Sequence, residues 1–166
     1  MKRILTFLLL LFCSFISRGQ NICDLASLPI ESKDELMKFW GNFNNAIEQN
    51  DTTKLISLCN FPFYVSQELI TNNPLDKGNN YKIDSNNLKK YLYLFFFESK
   101  FKIAVKSCDE PTKCLIFHGN YHSRKKTCGY LFCYILDNNS DRKVERCISI
   151  VKFNKTYKLT SLWWKH

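Results

Sequence analysis

His118, Asn120 and His122 stand at every second position, so on an extended chain they share one face. An imidazole there could act as a general base, because its ordinary pKa lies near neutral working pH. With a Lys or Arg close by, the pair would suit the acid–base chemistry of a secreted, ribonuclease-like hydrolase. The spacing argues against a shared task. Residues i and i+4 of a strand lie roughly 13 Å apart at about 3.3 Å per residue, too far for both rings to clasp one group. His118 and His122 therefore stand as weak catalytic candidates against the stronger reading of surface or edge histidines, and His166 is simply a chain end.

The second reactive set is sulfur. The chain has 8 cysteines. There is no CxxC spacing, and Cys128 and Cys133 would fall on opposite faces of a strand, so no metal set is read. No glycine-rich phosphate loop, GxSxG elbow, HExxH helix or EF-hand loop is present, and no cofactor is expected.

What these cysteines do depends on compartment. Met1-Lys2-Arg3 is basic, residues 4–13 are almost wholly apolar, and Ser17-Arg18-Gly19 puts small residues at −3 and −1 of a cut before Gln20. That order is a secretory signal peptide over residues 1–19, too short to span a bilayer comfortably. Phe12 stands before Cys13 where a lipobox needs a small residue. A secreted or periplasmic mature chain starting at Gln20 is expected, with no membrane attachment after cleavage. Its seven remaining cysteines would mostly pair in an oxidising compartment, and an odd number leaves at least one over. Nucleophilic catalysis by cysteine is disfavoured there.

Residues 20–166 suffice for one domain with a real core. Cleavage removes Lys2, Arg3 and Arg18, which lowers the formal charge from +9 to about +6. The basic residues are scattered, and the one dense run, Arg124-Lys125-Lys126, reads as a solvated turn, so nucleic acid is a disfavoured partner. Asn50-Asp51-Thr52, Asn138-Asn139-Ser140 and Asn154-Lys155-Thr156 match the glycosylation pattern, as expected by chance in an Asn-rich chain.

The elements that would position these groups follow from periodicity. Ser32 and Glu35 have capping-box spacing, and Leu36, Trp40, Phe43 and Ile47 form an apolar stripe, so a helix is predicted over 33–49. Asn50-Asp51 ends it, and Asp51 caps a short second helix that Pro62 stops. Phe63-Tyr64-Val65 reads as a strand, residues 66–84 as a strand end and long turn, and 86–97 as a third helix capped by Ser85, although Asp84 too reads as a helix-start residue. Residues 101–107, 114–123, 128–136, 145–153 and 157–164 read as strands, with hairpin turns at 137–142 and Asn154-Lys155. This layout suggests three disulfide candidates. Cys108 and Cys114 flank a turn, folding the 137–142 hairpin brings Cys133 opposite Cys147 or its neighbour, and Cys23 could reach Cys59, leaving Cys128 unpaired.

Helices followed by sheet is an α+β order. Within it, the run from Phe39-Trp40-Gly41-Asn42-Phe43 to Asn50-Asp51, then Leu55, Leu58 and Phe61-Pro62-Phe63, with the closing Tyr157-Lys158-Leu159-Thr160-Ser161-Leu162-Trp163, resembles the nuclear-transport-factor-2-like, or cystatin-like, superfamily. The resemblance covers about a third of the chain directly. It implies a cone: N-terminal helices packed on a curved antiparallel sheet, with a pocket between them. It also implies that enzymes of this kind place Asp, His or Tyr in an apolar pocket, a constellation that does not map here.

Trp40, Phe43, Tyr64, Tyr91, Phe95, Tyr134 and Trp163 are the candidate walls of such a pocket, with core packing the commoner fate of each. Trp163-Trp164 would put one indole on each face of the last strand. Three functions follow. The first is a non-catalytic binding module for an unknown small ligand or protein, through a helix–sheet pocket or an exposed sheet face. The second is a small dehydratase, isomerase or hydrolase using His118 or His122. The third is an immunity-type partner protein. Oligomeric state is not legible in the sequence.

Overall fold

The computed structural model describes residues 23–71, 80–120, 128–137 and 144–165. The leader at 1–19, the start at Gln20, His122, Arg124-Lys125-Lys126 and the 137–142 turn beyond its first residue lie outside them. Six helices and six strands are described: α1 Ile30–Glu48, α2 Thr52–Leu58, β1 Cys59–Ser66, α3 Gln67–Thr71, β2 Asn80–Ile83, α4 Ser85–Phe95, α5 Ser99–Lys106, α6 Pro111–Cys114, β3 Ile116–Asn120, β4 Cys128–Asp137, β5 Val144–Phe153 and β6 Thr156–Lys165. The strands form one sheet in the order β2-β1-β6-β5-β4-β3. The fold is α+β, with the helices packed on one face of this sheet. One pairing departs from the antiparallel expectation: β1 runs parallel to β6.

The apolar stripe of α1 drives the packing. Leu36, Phe39, Trp40, Phe43, Ala46 and Ile47 are all buried. They meet Tyr130, Phe132, Ile148, Ile150, Leu159 and Leu162 from the sheet and Phe96 and Phe101 from the other helices in one core. The residues between these on the strands face the other side, where Cys133 pairs in register with Cys147, and Cys147 with Trp163.

The end of α1 is a Schellman closure: Asp51 N–H donates to Ala46 O at 2.9 Å and Asn50 N–H to Ile47 O at 3.4 Å. Asn50 takes φ 52°, a conformation Asn tolerates better than most residues. Asp51 then caps α2 by accepting from Lys54 N–H at 2.9 Å. Asp84, one residue before the expected Ser85, caps α4 through Asn87 N–H at 2.8 Å.

Three expectations are corrected. First, α1 starts at Ile30 with Pro29 as its unadorned cap, so Ser32 and Glu35 form no capping box. Their i, i+3 spacing serves another purpose: Lys152 Nζ donates to Ser32 Oγ at 2.9 Å and pairs with Glu35 Oε2 at 2.5 Å. Second, residues 101–107 are no strand. Most of that segment is α5, because Phe101 and Val105, four apart, are both fully buried while Ile103 between them is 68% exposed. The expected strand at 114–123 likewise begins only at Ile116, after the short turn of α6.

The third correction concerns sulfur. Cys108–Cys114 and Cys133–Cys147 are bonded, but Cys23 bonds Cys128 and Cys59 is free and buried. The lead-in runs to the start of β4, where Tyr130 Oη donates to Cys23 O at 3.2 Å. Cys59 points into the core beneath α2 and donates its S–H to Leu55 O at 3.4 Å. Burial pushes its thiol up to about 12, so almost no reactive thiolate forms near neutral pH. A chain prepared from Gln20 onward is therefore expected to leave a thiol reagent unconsumed when native, and to react at one cysteine per chain when unfolded without reductant. Two or more reacting thiols in the unfolded sample would contradict this disulfide map. The three disulfides fit an extracytoplasmic setting. Among the described residues, no helix is long and apolar enough to cross a membrane.

Candidate functional site

The expected pocket walls do not converge on one space. Trp40, Phe43, Phe95 and Tyr134 are core residues. Trp40 lies 5.4 Å from Phe43 and 5.2 Å from Phe132 between ring centroids, and Phe101 lies 6.2 Å from Phe43 and 5.1 Å from Tyr134. Phe43, Phe95, Phe96 and Phe101 have no accessible surface, so no water-sized space touches them. The other three walls are scattered. Tyr91 is half-buried and stacks on Phe95, Tyr64 is exposed on β1, and Trp163 lies on the face away from the helices.

His118 is exposed on β3, with its ring 5.7 Å from that of Trp163. Trp163 in turn donates its Nε1–H to Ser149 Oγ at 3.2 Å. No acid–base partner of His118 is seen among the described residues. The side chain of Trp164, expected on the other face, lies outside the description.

Two buried polar clusters are built into the core edge. In the first, Arg146 is 5% exposed and donates through Nη1 to Leu94 O at 3.2 Å and to Glu98 Oε2 at 3.4 Å. Its guanidinium sits 5.8 Å from the ring centroid of Tyr134, whose hydroxyl donates to Glu98 Oε1 at 3.5 Å. Glu98 precedes α5 without capping it; its carboxylate instead neutralises a charge that burial would otherwise penalise. Burial, more than its charged neighbours, raises the Tyr134 phenol above its ordinary range.

The second cluster joins α1 to the β5–β6 hairpin. Lys152 bridges Ser32 and Glu35 and lies 5.6 Å from the ring centroid of Tyr157. Tyr157 and Tyr130 pack 6.1 Å apart. Burial raises both phenols, that of Tyr130 to about 12, so both stay protonated at neutral pH.

Outside this cluster opens a groove of about 360 Å³. Phe39, Leu58 and Tyr157 give it an apolar floor, and Asn42 and Thr156 offer neutral polar groups. Lys38 from α1 and Lys155 and Lys158 from the hairpin line it together with Glu35. Sequence reasoning missed this groove. Its only signal was a lysine every third residue, 152, 155 and 158, around the Asn154-Lys155 turn, which gives no hint that α1 lies alongside.

Among the described residues, one group has metal-ligand spacing. Cys133, Cys147 and Glu145 bring ligand atoms within 4.8 Å of one another, but both sulfurs are committed to their disulfide.

No family model matches the chain, and no curated protein matches it in sequence. Among solved structures it is similar to a designed nuclear-transport-factor-2-like protein, Rd1NTF2_05 carrying five substitutions. That match has 10% identity and a TM-score of 0.35, and spans 80% of this chain and 97% of the other. At that identity and superposition the likeness says nothing of ligand or activity.

Proposed function

We propose that this chain is an extracytoplasmic, non-catalytic binding module of the nuclear-transport-factor-2-like kind, a single domain over residues 20–166, which takes its ligand in the groove between α1 and the β5–β6 hairpin. The observation that carries this reading is the filled interior among the described residues. The space between helices and sheet, where an enzyme of this architecture would keep a polar catalytic group, is occupied at Phe43, Phe95, Phe96 and Phe101 by rings without accessible surface. The α1–hairpin groove combines an apolar floor with a few polar side chains, the usual composition of a small-ligand site.

The test is a thermal-shift screen of small metabolites, with hits mapped by amide chemical-shift changes. Ligands that perturb residues 38–42 and 155–158, and that bind His118→Ala and His122→Ala as well as the parent, are the expected result. A compound turned over by the parent and left intact by either folded histidine variant would replace this reading with the enzymatic one.

A further inference from the structure

We infer that the α1–hairpin groove selects small organic anions, a carboxylate or phosphate monoester carried on a compact apolar body. The inference rests on the groove being the ligand site. Its charge balance carries the argument. The one carboxylate lining it among the described residues, Glu35, is already matched by Lys152 at 2.5 Å. Lys158 donates one of its three N–H groups to Ser57 O at 2.6 Å and keeps two. Lys38 and Lys155 are exposed and have no anionic partner among the described residues. Three lysines thus line one groove with no carboxylate left to balance them among the described residues, a local excess of positive charge that favours an anion.

Two other surface hollows show the contrast. In one, of about 300 Å³, Lys106 pairs with Glu48 at 3.8 Å and Lys102 donates to Asn50 Oδ1 at 2.6 Å. In the other, of about 370 Å³, Glu110 is held by Lys113 at 2.6 Å, and Lys33 donates to Ala26 O at 3.1 Å. Their charged groups find partners within the chain. Lys38 and Lys155 of the α1–hairpin groove have no such partner among the described residues, and the apolar floor of Phe39, Leu58 and Tyr157 favours an anion with a hydrophobic body over a bare inorganic ion.

The experiment titrates the mature, oxidised protein with phenyl phosphate and 4-phenylbutyrate, alongside inorganic phosphate and the neutral 4-phenylbutan-1-ol, by amide chemical shifts and calorimetry. Both organic anions should bind saturably, shift residues 38–42 and 155–158, and weaken as salt is raised. Lys38→Glu and Lys155→Glu, which alter exposed side chains only, should each weaken them about five- to tenfold, allowing for solvent screening of each pair. Equal binding of the alcohol at the same amides would overturn the anion inference and leave the groove as the ligand site. Saturable shifts mapping elsewhere would overturn both. Co-sedimentation with phosphatidylglycerol vesicles, without saturable binding of either free anion, would assign the lysines to a membrane surface and overturn it too.

Discussion

Replacing Trp40 with alanine should cost about 3–5 kcal/mol of folding stability, the range for truncating a large buried aromatic. The side chain is 2% exposed at the centre of the α1 stripe. It touches Phe43 on its own helix and Phe132 on β4, so its loss opens space on both sides of the helix–sheet contact. The neighbours are themselves tightly engaged rings, which limits how far the site can collapse to refill the void. Its Nε1–H also donates to Cys108 O at 2.8 Å, and truncation leaves that buried carbonyl unmatched. Urea melts of parent and variant measure the difference. Trp40→Phe separates the two contributions, since it keeps most of the ring volume and removes only the hydrogen bond, for a loss of about 1–3 kcal/mol. A loss below about 1 kcal/mol in Trp40→Ala would mean that the helix–sheet contact does not hold the fold.

How far such a contact is legible in the sequence depends on whether the pattern is local. The α1 stripe, the Asp51 cap and the last three strands are set by residues a few positions apart, and they emerge where periodicity places them. The segment Phe101-Lys102-Ile103-Ala104-Val105-Lys106 is local yet ambiguous. Positions 101 and 105 lie on the buried face under either a two-residue or a 3.6-residue period, and only the exposure of Ile103 decides for helix. Its aromatic and β-branched residues favour the wrong answer.

The polar sites failed for another reason. Ser32 and Glu35 have the right types and spacing for a cap, but their partner is Lys152, far along the chain. The same distance hid the groove, whose lysines come from α1 and from a hairpin near the other end. The aromatics chosen as pocket walls were sound as apolar residues, and no local feature separates a ring that lines a cavity from one that fills it. Cysteine partners followed the same division. The two pairs closed by a turn or hairpin were readable, while the long-range partner of Cys23 was not.

That long-range disulfide should matter most to stability. Cys23–Cys128 spans 105 residues, Cys133–Cys147 spans 14 and Cys108–Cys114 spans 6. If a cross-link acts chiefly by restricting the unfolded chain, its contribution grows with the logarithm of the loop it closes. The double variant Cys23→Ser, Cys128→Ser should then lose about 4–5 kcal/mol, and Cys108→Ser, Cys114→Ser about 2 kcal/mol. Paired replacements avoid leaving a reactive thiol at either site. Native contacts do not separate the two sites, since Cys108 O accepts from Trp40 Nε1–H and Cys23 O from Tyr130 Oη–H whether or not the disulfide is present. Guanidinium denaturation of the oxidised parent and both double variants gives the comparison. A larger loss for the six-residue loop than for the long one would show that native strain or enthalpy at these bonds, and not unfolded-chain entropy, governs how the disulfides stabilise this domain.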